Sequence, residues 1–107
     1  QGIGTALYEE MTFSDTGQPL ASTLADYHLP VAADIPEIRI SHMETPSPLS
    51  RFGQKGIGES GAIGPPAAIG NAVNDALKSF GVEMVQVPMT PARVRAALAA
   101  ADQGMGS

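Results

Sequence analysis

Lys55-Gly56-Ile57-Gly58-Glu59-Ser60-Gly61-Ala62-Ile63-Gly64-Pro65-Pro66 is the stretch on which the reading of this chain turns. It sets a single carboxylate among four glycines, just ahead of two prolines. Glycine lacks a Cβ, so its backbone N–H groups can approach a bound molecule closely. Proline is tolerated where a helix begins, because the N–H it lacks has no helical partner there. The pattern predicts a helix over residues 66–80, entered through Pro65 and Pro66. Its apolar stripe is Ile69, Val73, Ala76, Leu77 and Phe80, and Gly81 is placed to end it. From these residues alone Glu59 has two readings: an acid presented to a ligand, or a solvated glutamate in a glycine-rich connector.

The string Gly56-x-Gly58-x-x-Gly61 also matches the dinucleotide-binding fingerprint, but its context excludes that reading. The fingerprint follows a strand and opens a helix, whereas Thr45-Pro46-Ser47-Pro48-Leu49-Ser50 precedes this one. A phosphate-binding loop fails too, since Lys55 comes before the glycines and no Gly-Lys-Ser/Thr follows.

Outward from this centre, residues 1–10 read as a helix with Ile3, Leu7 and Met11 on one face. Asp15-Thr16-Gly17-Gln18 supplies a turn between short apolar flanks, predicting a hairpin over residues 11–22. Residues 24–36 read as irregular chain covering a neighbour, with prolines at 30 and 36. Glu37-Ile38-Arg39-Ile40-Ser41-His42-Met43 alternates as a half-buried strand does, and residues 82–87 read as a second strand ended by Pro88. Thr90 can cap a last helix with Pro91 in its first position and Val94, Ala97, Leu98 and Ala101 as its stripe. The expected fold is α+β, in the order helix, hairpin, strand, glycine-rich loop, helix, strand, helix. Residues 1–102 are expected to be part of a larger domain, because the first helix starts without a capping side chain. Residues 103–107 are expected to form a flexible tail.

Composition narrows the function classes. The chain has 107 residues and 43% apolar content, enough for one small domain or a piece of a larger one. A formal charge of −5, with six Lys and Arg in all, argues against a nucleic-acid partner. No apolar run is long enough for a membrane span, and a cytoplasmic setting is expected. Without cysteine the chain supplies no thiolate for a metal or an iron–sulfur cluster. His28 and His42 lack metal-ligand spacing, no Ser/His/acid set is identifiable, and Glu9-Glu10 reads as a solvated pair.

The run from Lys55 to Val73 resembles the C-terminal segment of the molybdopterin-binding large subunit of molybdenum hydroxylases. These are the xanthine dehydrogenase, aldehyde oxidase and aerobic carbon monoxide dehydrogenase relatives. Gln1-Gly2-Ile3-Gly4-x-Ala6-Leu7-Tyr8-Glu9-Glu10, Asp26-Tyr27-x-Leu29-Pro30 with Ala33-Asp34-Ile35-Pro36, and Glu44-Thr45-Pro46-Ser47-Pro48 resemble the same subunit in the same order. The resemblance implies that Glu59 is the active-site base in the oxidative hydroxylation of an aldehyde, an N-heterocycle or a CO-like substrate. It implies that Lys55, Gly56, Ile57 and Gly58 run beside the molybdenum–molybdopterin cofactor, in its cytosine dinucleotide form, with Gly2 and Gly4 nearby; none of these residues is expected to ligate the metal. It implies the remainder of the large subunit as a partner, with iron–sulfur and FAD subunits beyond it, and a bacterial source. Alone, the chain is expected to be inactive, to hold no cofactor and to self-associate. The alternative is a non-catalytic packing or oligomerisation module.

Overall fold

Ser60–Leu77 forms the longest helix of the protein, and a short N-terminal helix packs against it. The structure is a computed structural model and describes residues 1–105. Numbered in chain order, the helices are α1 (Gly2–Leu7), α2 (Ser60–Leu77) and α3 (Pro91–Met105), with short 3-10 turns at Ala32–Asp34 and Lys78–Phe80. Of the tail expected over residues 103–107, Gln103, Gly104 and Met105 continue α3, and Gly106 and Ser107 lie outside the described residues.

Among the described residues the regular structure is almost entirely helical, where an α+β order was expected. Among the described residues β-structure is limited to one antiparallel bridge, Phe13 with Pro19. Around it the predicted hairpin is recognisable: Leu20 N–H donates to Thr12 O and Ser14 N–H to Gln18 O, while Gly17 takes φ 80° in the turn. Residues 37–43 and 82–87 form no strand. A strand exists only through a neighbour that completes its ladder, and alternation alone does not supply one. In 82–87 a side chain takes the neighbour's place. Asn74 of α2 accepts from Met84 N–H and donates to Met84 O, both at 2.8 Å.

α2 also begins earlier than expected, with Glu59 as its N-cap and Pro65 and Pro66 inside it. The prolines remove the donors that would bond the carbonyls of Gly61 and Ala62. The opening turn is therefore tied to the rest of α2 by fewer bonds than an ordinary helix has. The C-terminal end matches expectation, since Gly81 has left-handed φ 67° after the Lys78–Phe80 turn. α3 starts as read: Arg93 N–H donates to Thr90 Oγ1 at 3.3 Å and Val94 N–H to Thr90 O at 2.9 Å.

The core is small. Ala6, Ala21, Leu77, Val82 and Met89 are its buried apolar residues, four of them from α1, α2 and the 82–89 segment. Met89 N–H donates to Ala6 O at 2.7 Å and ties that segment to α1. Beside it an apolar cleft, lined by Leu7, Val73, Leu77, Val94 and Leu98 among others, stays open between the helices. Glu9-Glu10 is not simply solvated. Glu9 accepts from Tyr27 Oη at 2.7 Å, and Glu10 is paired with Arg93, which also donates to Pro88 O at 2.9 Å.

Candidate functional site

Glu59 stands where the glycine-rich loop enters α2, and its carboxylate is left free by the way the helix is capped. Its backbone lies in the right-handed helical region (φ −106°, ψ −1°), and its carbonyl accepts from Ala62 and Ile63 at 2.9 and 3.1 Å. Its side chain makes no capping bond. An N-cap side chain usually turns back onto the helix, whereas Ser60 Oγ here bonds Ile57 O. The acid therefore sits at the favourable end of the helix dipole with its oxygens available.

An open depression is built around it from residues 56–60 together with Ile63 and Gly64. Ile63 follows Glu59 by four residues, so the first turn of α2 stacks the two on one face. A Cβ placed on Gly56 or Gly58 would meet nothing within 4 Å. The chain therefore presents a bare strip of backbone beside one carboxylate, flanked by the apolar side chains of Ile57 and Ile63. Such a surface can take a large flat ligand along its backbone and hold or move one proton at Glu59.

The residues singled out in the sequence divide into three groups in space. Gly56, Ile57, Gly58 and Glu59 share the depression. Lys55 lines the adjoining one with Thr45, Pro46 and Phe52, and its ammonium donates to Thr45 Oγ1. Gly2 and Gly4 are buried in α1. A Cβ on Gly2 would stand 2.6 Å from Gly61 O, so α1 begins directly behind the turn that follows Glu59. A Cβ on Gly4 would run into the Glu9 carboxylate and Pro30. The sequence reading missed Ser60, Ile63 and Gly64 as lining residues, because it started the helix at the prolines. Their spacing from Glu59 would have revealed them had the helix been started at Ser60.

A second cluster lies at the C-terminal end of α1. His28 Nε2 is 3.5 Å from Asp34 Oδ2, its ring packs 5.3 Å from that of Tyr8, and Tyr8 Oη donates to Asp34 O at 3.3 Å. It joins the 23–35 segment to α1. His42 lies apart from it, exposed in the irregular 37–43 segment.

A sequence profile for the molybdopterin cofactor-binding domain matches residues 1–36. The chain is 44% identical over 94 residues to the nicotine 6-hydroxylase large subunit of Paenarthrobacter nicotinovorans, a match covering 88% of this chain and 12% of that protein. It is 37% identical over 94 residues to the carbon monoxide dehydrogenase large chain of Hydrogenophaga pseudoflava, again with 88% and 12% covered. Among solved structures it superposes on quinoline 2-oxidoreductase from Pseudomonas putida 86 with TM-score 0.87 and 48% identity, covering 92% of this chain and 13% of that one. The chain thus spans about an eighth of the length of the curated relatives it matches.

Proposed function

We propose a catalytic part for Glu59 from the premise that this chain belongs to the xanthine dehydrogenase, aldehyde oxidase and carbon monoxide dehydrogenase family of molybdopterin-binding large subunits. In that reading Glu59 is the general base of an oxidative hydroxylation. The observation that carries it is the uncapped carboxylate at the start of α2, set beside open glycine backbone. The residues present fit the cofactor, since Gly56 and Gly58, on either side of Ile57, offer backbone to a broad ligand where nothing else occupies the space. These three would hold it, with Lys55 beside them. When bound, the molybdenum cofactor supplies the two-electron oxidation and the oxygen that enters the substrate. Glu59 supplies the place for a proton, a role that accelerates reactions by roughly 10²–10⁴-fold. Ile57 and Ile63 line the depression with the carboxylate and offer apolar contact to whatever binds beside it.

Among aldehydes, N-heterocycles and CO-like molecules, we propose an N-heterocycle as the substrate. Similarity is higher to proteins named for nicotine and quinoline, at 44% and 48% identity, than to the carbon monoxide dehydrogenase chain at 37%. The cytosine dinucleotide form of the cofactor and the iron–sulfur and FAD subunits belong to the same proposal. The reading as a mere packing module is the outcome if the base assignment fails.

The test is Glu59→Gln in the complete large subunit of the assembled enzyme. It keeps size and shape and removes the base, so turnover falls at least ~10²-fold while molybdenum and pterin content are unchanged. Glu59→Asp is also slow, because one methylene less withdraws the carboxylate from a fixed site. Near-normal turnover of Glu59→Gln at full cofactor loading returns the loop to a structural role.

A further inference from the structure

Gly2 is buried at the start of α1, and the space a side chain would need there is already filled. A Cβ would lie 2.6 Å from Gly61 O, 2.6 Å from Pro65 Cβ and 2.8 Å from Pro65 Cγ. None of these atoms can step aside alone. One is backbone, and the others belong to a ring closed onto the backbone of α2. Either α1 or the opening turn of α2 would have to shift.

The opening turn is the weaker of the two. Pro65 and Pro66 leave the carbonyls of Gly61 and Ala62 without their helical donors, so that turn is loosely tied to the rest of α2. α1 is fixed at its far end by Met89 N–H on Ala6 O, by Tyr8 Oη on Asp34 O and by Tyr27 Oη on the Glu9 carboxylate. A displaced turn carries Glu59 with it, because Ala62 and Ile63 both donate to the Glu59 carbonyl.

We propose that Gly2 is a positioning residue for Glu59: its missing side chain lets α1 abut Gly61 and Pro65 and so hold in place the turn that aims the carboxylate. The proposal rests on the reading of Glu59 as the base. The two can nevertheless fail separately.

The experiment is Gly2→Ala in the assembled enzyme, with Gly70→Ala as control. A Cβ on Gly70 would have only Met89 Cε nearby, at 3.5 Å, an ordinary contact. Three quantities are read: hydrogen–deuterium exchange of the peptide spanning residues 56–64, kcat against KM, and molybdenum content. Gly2→Ala is expected to speed exchange at Ala62 and Ile63 and to lower kcat about ten-fold or more, with KM and molybdenum content held, since small misplacements of a reacting group are costly. Gly70→Ala leaves all three unchanged. Native exchange in Gly2→Ala overturns the proposal, as does altered exchange with undiminished kcat. Loss of molybdenum with normal exchange also overturns it and assigns Gly2 to cofactor holding. The exchange measurement stands whatever Glu59→Gln does, so failure of the base reading is seen separately. If Gly2→Ala does not accumulate, Pro65→Ala probes the same contact. It removes the Cγ behind Gly2 and gives Gly61 O a donor, so exchange at Ala62 and Ile63 changes, and unchanged exchange there overturns the proposal.

Discussion

At the scale of single residues, three carboxylates meet three different surroundings. Glu59 is left without a cap bond, while Glu9 accepts from Tyr27 and Glu10 meets Arg93. The Tyr27 phenol is held above its ordinary 10.0, first by its hydrogen bond to Glu9, then by desolvation and by the Glu9 charge. A raised phenol favours the protonated form. The stabilisation it lends is fully present below pH 10 and is lost as pH rises through the raised value. In the 107-residue chain, which has two tyrosines, a tyrosine-selective NMR titration should find Tyr27 ionising late, and Glu9→Gln should bring it down. Ordinary titration of Tyr27 beside an intact Glu9 would refute the bond. Glu59 stood out in the sequence because an acid among glycines invites a functional reading, and the structure leaves its side chain without a cap bond. The roles of Glu9 and Glu10 were not, since their partners stand 18 and 83 residues away.

Among the elements, the helices were legible and the strands misled. Thr90 and Pro91 start α3 and Gly81 follows α2 as their local chemistry dictates, because caps need no distant partner. The start of α2 was misplaced because the proline rule names the commonest site for proline, whereas this helix takes its prolines in the second turn. Residues 82–87 have the apolar content of a strand, but their only described backbone partner is the Asn74 side chain. Asn74→Ala should therefore release the segment, with a cost of about 1 kcal/mol for each of the two hydrogen bonds. Asn74→Asp keeps the acceptor for Met84 N–H and loses the donor to Met84 O, so it should release the segment too. Limited proteolysis within residues 82–88 reads both, and cleavage no faster than in the parent would deny the clamp its role.

For the molecule as a whole, the dimensions are those of a part. Its radius of gyration is 18.5 Å and its extents are 63 × 38 × 27 Å, against about 13 Å for a compact chain of this length. Its accessible surface is 8635 Å², roughly 3,000 Å² more than a compact protein of its mass exposes. That excess surpasses the ~1,600 Å² of a standard protein interface, and it is partly apolar, with Met43, Leu49 and Val85 each more than nine-tenths exposed. The chain alone should self-associate, and sedimentation velocity across a concentration series reads this directly; a monomer at every concentration would contradict it. Yet the backbone superposes at TM-score 0.87 on a piece of a protein many times longer, so this open arrangement is the one that a completed enzyme uses. With so small a core, in the proposed large subunit the unfolding of this segment and its release from the remainder become one linked equilibrium. Supplied separately, the two pieces would melt at a temperature that rises with the concentration of the larger one, as a ligand's would.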